Sequence, residues 1–210
     1  MALNIAFMGT PQFAVPALKK ILLTSHNIKA VYSQPPRKSN RGMQVEKSPI
    51  HLLAEENNIL VRTPNSLVED FDFFRQLQVD LVIVVAYGQI ISKEFLQLPK
   101  YGFLNIHASL LPKWRGAAPI QRSVMAQDSV TGISIMKIEE KLDSGPVLLV
   151  EEMKINLTTT SGIVEKYLAD VGGDKIIEAI QMIEEGKAVF VPQDDNLATY
   201  AKKIKKEDEI

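Results

Sequence analysis

Gly102–Gln121, GFLNIHASLLPKWRGAAPIQ, is the stretch on which the reading of the fold turns. It opens on Phe103-Leu104-Asn105-Ile106-His107, a short apolar run that reads as a buried strand of a parallel sheet. Two polar side chains interrupt it near its end. Asn105 and His107 are two apart, so on a strand they project from one face while Ile106 faces the other. A loop follows, Ser109-Leu110-Leu111-Pro112, ending in a helix breaker. Ligands of open α/β sheets bind at the carboxyl ends of strands. An amide and an imidazole side by side there can stabilise an oxyanion and move a proton. A lone His in such a place reads as a satisfied core residue and a lone Asn as a turn cap. The pair at i, i+2 running into a loop favours the functional reading.

Outward from this stretch, strands alternate with helices. Ile5–Met8 is a strand, Gly9-Thr10-Pro11 turns it, and Gln12–Ser25 has apolar residues at helical spacing. Only one Gly lies in that turn, so the GxGxxG fingerprint is absent and no nicotinamide or flavin cofactor is expected. Strands are expected at Ile28–Ser33 and Ile59–Arg62, and helices at Pro49–Asn57 and Ser66–Gln76. Leu81–Val85 is apolar throughout and mostly β-branched, as in a strand covered on both faces. Short helices are expected at Ser92–Leu98 and Ala118–Ala126. Gly132–Ile138 and Val147–Lys154 read as strands of an antiparallel hairpin joined by the Asp143 loop. Ser161–Glu185 reads as a long amphipathic helix, either continuous or broken at Gly172-Gly173. The pattern predicts a doubly wound α/β fold, a mainly parallel sheet with helices on both faces.

Three segments stand outside the alternation. Gln34–Lys47 reads by composition as a solvated loop; its Arg and Lys side chains also suit a phosphate-contacting arm. In Lys113-Trp114-Arg115-Gly116, Trp114 with its flanking cations plugs the core, stacks on a base or closes a pocket. Pro192–Tyr200 reads as a linker before the basic run Lys202–Lys206.

The formal net charge of −1 gives no global attraction to nucleic acid, so any such site must be a local patch. The absence of Cys removes thiol nucleophiles, disulfides and Cys-based zinc sites. His26, His51 and His107 lack ligand spacing, and His51 with Glu55 reads as a surface pair, so no metal site is expected. No apolar run approaches the roughly 18 residues of a membrane span, and no signal pattern opens the chain. A cytoplasmic protein without a membrane partner is expected.

NIHASLLPKWRGAAPIQ, with Leu142-Asp143-Ser144-Gly145, resembles the formyl-folate-dependent transferases. VVAYGQI and RGAAPIQ are most similar to the methionyl-tRNA formyltransferases, and the similarity runs from FMGTPQFAVP to LATYAKKIKKED. The resemblance implies 10-formyltetrahydrofolate as formyl donor, initiator methionyl-tRNA as acceptor, a monomer, and the cytoplasm of a bacterium. It implies catalysis by Asn105, His107 and Asp143, and a folate pocket lined by Gly88, Gln89, Ile90 and Ile91 with Ser109, Leu110, Leu111 and Pro112. Arg41 matches the position that meets the tRNA acceptor end, although Met43-Gln44 stands where the family has two lysines. Pro146 replaces an acidic residue common after the Asp143 motif. A catalytic domain over 1–190 is expected, with 191–210 as linker and tail toward a β-barrel domain that these residues do not include.

The chemistry follows from those residues. An amine attacks a formyl carbon only in its neutral form, and α-amino groups titrate near 7.7–8. Attack produces a tetrahedral adduct whose oxygen carries negative charge. The Asn105 amide and a protonated His107 can both donate to it. Asp143 can hold the imidazole and favour its charged form, and protons then pass through Asp143, His107 or a water. A Ser-His-Asp reading through Ser109 competes, but Ser109 lacks the strand-turn-helix elbow and GxSxG. The alternatives are a glycinamide ribonucleotide or amino sugar nucleotide formyltransferase, and a folate- or tRNA-binding module without turnover.

Overall fold

The computed structural model describes residues 2–39 and 44–208. The elements run β1 Asn4–Gly9, α1 Val15–Leu22, β2 Asn27–Tyr32, β3 Arg37–Ser39, β4 Gln44–Glu46, α2 Pro49–Glu56, β5 Val61–Arg62, α3 Phe71–Gln76 and β6 Leu81–Val85. They continue with α4 Lys93–Leu96, β7 Phe103–His107, β8 Arg115–Gly116, α5 Pro119–Met125, β9 Val130–Lys137, β10 Val147–Lys154, α6 Ser161–Glu184 and β11 Tyr200–Ala201. The fold is α/β with a mainly parallel sheet, as the alternation predicts. Two compact units divide the chain, Met1–Asn105 and Ile106–Ile210.

In the first unit β6 is flanked on both sides, by β1 and by Phe103–Asn105 of β7, and every pairing is parallel. All five of its residues are buried. A strand with neighbours on both edges and no solvated face has no position for a polar side chain, which is why LVIVV was legible. β1 also pairs with β2, and β2 with β5, again in parallel. α2 begins where Pro49 sets the helical φ and Ser48 Oγ accepts the His51 N–H at 3.0 Å. His51 pairs with Glu55 at 3.2 Å as expected, though the imidazole itself is buried.

Beside β2 lies a polar cluster that the sequence did not announce. Asp70 is buried and accepts from Tyr32 Oη at 2.8 Å and from Arg62 Nε at 3.0 Å, with Arg62 Nη2 on its other oxygen. Burial alone would push the Asp70 carboxyl up, but the Arg62 and Tyr32 hydrogen bonds and the Arg62 charge outweigh it and hold it below its ordinary value. Burial, followed by the Asp70 contact, pushes the Tyr32 hydroxyl well up. A depressed carboxylate stabilises the fold above its unfolded pKa, and that contribution disappears as pH falls through the folded value. Asp70→Asn is expected to cost about 2 kcal/mol, less than a fully buried pair because the Arg62 guanidinium can turn to water. Urea denaturation at several pH values should show this deficit constant above about pH 5 and shrinking below about pH 4. A deficit that does not change with pH would contradict the account.

In the second unit β9 and β10 form the expected antiparallel hairpin. Thr160 caps α6, accepting from the Ile163 N–H. The helix is continuous through Gly172-Gly173; both glycines are buried and helical. A Cβ on Gly172 would lie 2.7 Å from Ile133 and 2.8 Å from Ile106. The glycine therefore lets the helix approach β9 and the end of β7, and that close packing outweighs a helix-propensity cost of about 1 kcal/mol.

Other differences are local. Gln34–Lys47 is not a plain loop: β3 and β4 pair antiparallel, Arg37 opposite Glu46 and Ser39 opposite Gln44. Two strands of three residues each, RKS and QVE, are too short to show a hydrophobic period. The first and third helices open with a single tight turn, at Gln12–Ala14 and Leu67–Asp70. Pro192–Tyr200, expected to be a linker, is held by side-chain and backbone hydrogen bonds to Pro112–Arg115.

Candidate active site

Strand β7 carries Asn105 and then His107, so strand alternation places both side chains on one face at its carboxyl end. Asn105 is half-buried, and its backbone is in register with Val84. The His107 imidazole is almost wholly buried. Its Nε2 lies 3.0 Å from the Trp114 carbonyl oxygen. A carbonyl only accepts, so Nε2 carries a proton and donates. Nδ1 faces Asp143 Oδ2 at 3.7 Å. That is within ion-pair range but longer than a hydrogen bond. The other neighbour of the carboxylate is a backbone donor: the Gly116 N–H donates to Asp143 Oδ2 at 2.8 Å.

The Asp143 loop is tied down from several directions. Asp143 has φ +45°, a left-handed conformation that Asp tolerates better than most residues. The Lys137 N–H donates to the Pro146 carbonyl at 2.9 Å, closing the loop onto β9. Gln193 Nε2 donates to the carbonyls of Asp143 and Gly145, at 2.9 and 2.7 Å. Gln193 Oε1 in turn accepts from Arg115 Nε and Nη2, at 3.0 and 2.8 Å. Arg115 is fully buried, and its Nη1 lies 2.8 Å from Asp195 Oδ1, close enough for an ion pair although the angles fall short of a hydrogen bond. The Asp195 carboxyl is held below its ordinary value, first by Lys141 and then by Arg115.

The loop after β7 is equally fixed. Ser134 Oγ on β9 donates to the Ser109 carbonyl at 2.7 Å and accepts from the Leu111 N–H at 3.1 Å. Ser109 Oγ donates to the Lys113 carbonyl at 2.6 Å. That hydroxyl is buried and committed, which removes the Ser-His-Asp reading. Trp114 is half-buried, and its Nε1 donates to Asp128 at 2.8 Å, so the indole is anchored rather than free to swing. Gly116 pairs with Ala201 of β11 and has φ +112°. A Cβ there would sit 2.9 Å from the Ala201 carbonyl oxygen, so glycine is required for β8 to lie along β11.

The second expected folate loop, Gly88–Ile91, follows β6 in the first unit. Gly88 has φ +84°, and Ile90 is exposed. The Gln89 side chain is occupied: Oε1 accepts from the Leu67 N–H at 2.7 Å and Nε2 donates to the Pro64 carbonyl at 3.0 Å. Only the backbone of Gln89 remains to meet a ligand. Arg41 lies outside the described residues. Of the other arm cations, Lys47 pairs with Glu55 at 2.7 Å and Arg37 donates to Gln34 at 3.1 Å. Among the described residues, no group of three or more His, Asp or Glu is placed to hold a metal ion. Among them, no helix is long and apolar enough to cross a membrane.

Sequence reasoning picked out Arg115 and Gly116 only as neighbours of Trp114, and missed Ser134 and Gln193. RG within RGAAPIQ was the available signal, since a cation beside a glycine inside a long specific motif has a reason to be there.

An α/β sheet with an imidazole at a strand end and a carboxylate loop beside it suits acyl transfer between amines, and residues 3–180 match the family model described as formyl transferase. The methionyl-tRNA formyltransferase of Pelagibacter ubique is 54% identical over 209 residues, covering 98% of this chain and 67% of the relative. The chain belongs to this formyltransferase family and, within it, to the methionyl-tRNA formyltransferases. The methionyl-tRNA formyltransferase of Parvibaculum lavamentivorans is 48% identical over 206 residues, covering 97% of this chain and 66% of the relative. The chain thus spans about two thirds of the length of these curated relatives. Among solved structures, glycinamide ribonucleotide transformylase 1 of Symbiobacterium toebii is similar with a TM-score of 0.75 at 19% identity, covering 92% of this chain and 95% of that one. At that identity the likeness is one of fold.

Proposed function

We propose that this chain transfers a formyl group from 10-formyltetrahydrofolate to the amino group of methionyl-initiator tRNA. The observation that carries the reading is His107, with Nε2 tied to a carbonyl and Nδ1 turned to Asp143. With Nε2 committed to the Trp114 carbonyl and Nδ1 beyond hydrogen-bond distance of Asp143, Nδ1 is the ring nitrogen left to exchange a proton with the substrate, with the carboxylate in ion-pair range beside it. The neutral amine of methionine attacks the formyl carbon. The tetrahedral oxygen takes hydrogen bonds from Asn105 and His107. The amine proton leaves through His107, Asp143 or a water, and the folate nitrogen is protonated as its bond to the formyl carbon breaks. No covalent bond to the protein forms.

In the same proposal, the backbone of Gly88–Ile91 and of Ser109–Pro112 meets the pterin, which asks for peptide donors and acceptors and apolar walls. The rigidity of Ser109–Pro112, clamped by Ser134, supports this role. The protein acts as a monomer in the cytoplasm of a bacterium, the class of organism in which the relatives are found. The test is to supply 10-formyltetrahydrofolate with methionyl-tRNA, glycinamide ribonucleotide or an amino sugar nucleotide. Formylmethionyl-tRNA should form at least tenfold faster than either alternative product. Preference for another acceptor would overturn the assignment.

Arg41 is proposed to contact the tRNA backbone. Arg41→Ala is expected to raise the KM for methionyl-tRNA and lower the salt slope of binding by about one, with folate affinity unchanged. Equal losses for both substrates would mean that Arg41 shapes the folate site instead.

A further inference from the structure

We propose that Gln193 is a positioning residue that holds the Asp143 loop in place for formyl transfer, an inference that rests on the reading of His107 and Asp143 as the acid–base pair. The Gln193 amide is saturated. Its oxygen accepts twice from Arg115, and its nitrogen donates to the Asp143 and Gly145 carbonyls. Arginine only donates and carbonyls only accept, so this amide has a single workable orientation. The buried Arg115 cation sets the oxygen end, and the nitrogen end then sets the loop.

The same two-residue strand reaches Asp143 a second time. Gly116, next to Arg115, donates its N–H to Asp143 Oδ2 at 2.8 Å. Backbone and carboxylate of Asp143 are therefore both fixed from β8, one directly and one through Gln193. With Asp143 Oδ2 3.7 Å from His107 Nδ1, a small shift of the loop decides whether the carboxylate can close on the ring. A misplacement of about 1 Å costs on the order of 100-fold in rate. The competing role for Gln193 is to satisfy Arg115 and nothing more.

Gln193→Glu separates the two roles. The carboxylate keeps both acceptors for Arg115 in a stronger, charge-assisted form. It removes both donors to the loop and sets an oxygen against two carbonyl oxygens. The expected result is a protein that still unfolds cooperatively and a kcat lowered about 10- to 100-fold. The KM for 10-formyltetrahydrofolate should stay within twofold, and amide hydrogen exchange should be faster over residues 139–146. Asp143→Asn is measured in parallel. If Gln193→Glu keeps wild-type kcat while Asp143→Asn loses it, the proposal is overturned and the acid–base reading stands. If both keep wild-type kcat, the acid–base reading falls and takes the proposal with it. Should Gln193→Glu fail to fold, Gln193→Asn, whose shorter amide reaches Arg115 or the loop but not both, carries the same comparison.

Discussion

Replacing His107 by alanine is expected to lower the turnover of formyl transfer by about two to four decades in a protein that remains folded. The imidazole supplies both the proton donor beside the developing oxyanion and the route by which the amine proton departs, and each role is worth about two decades or more. The fold survives because the change leaves one small buried gap and one carbonyl, that of Trp114, without its donor. That costs about 1–3 kcal/mol. Folate affinity should change little. Near-native turnover in a folded His107→Ala protein would remove the residue from the mechanism.

Gly145→Ala is expected to be a damaging change in the Asp143 loop even though it substitutes no functional side chain. A Cβ at Gly145 would sit well inside van der Waals distance of the Lys137 carbonyl oxygen. Neither backbone can give way cheaply. The Lys137 N–H bonds the Pro146 carbonyl, and the Gly145 carbonyl bonds Gln193. The loop must therefore move as a unit and carry Asp143 away from His107. The expected outcome is a loss of about 2–3 kcal/mol in stability and about 100-fold in kcat. Turnover within threefold of wild type, measured beside a urea melt, would show that the register of this loop does not matter.

The parts of the molecule governed by local rules were legible in the sequence. Leu81–Val85, apolar throughout, read as an interior strand, and Pro49 read as the first turn of a helix. Asn105 and His107 were legible because two polar residues at strand spacing interrupt an otherwise apolar run. The scaffold of the site was not legible, because it is assembled from distant residues. In the sequence Arg115 is only a cation flanking Trp114, and its partners Gln193 and Asp195, 78 and 80 residues further on, make its burial tolerable. The continuity of α6 was left open for a related reason. Gly172-Gly173 looks like a break in a propensity scale, whereas Gly172 packs closely against Ile133 and Ile106 within a continuous helix. The arm at residues 34–47 defeated pattern reading because RKS and QVE are each only three residues long, too short to show a strand period.

The central claim is that His107 and Asp143 act as one unit, and it is tested most directly by kcat for His107→Ala, Asp143→Asn and the double variant at saturating folate and methionyl-tRNA. Residues that share one task lose it once, so their effects do not add. The account predicts that the double variant is no slower than the slower single variant, within about threefold. Losses that multiply across the two positions would contradict it.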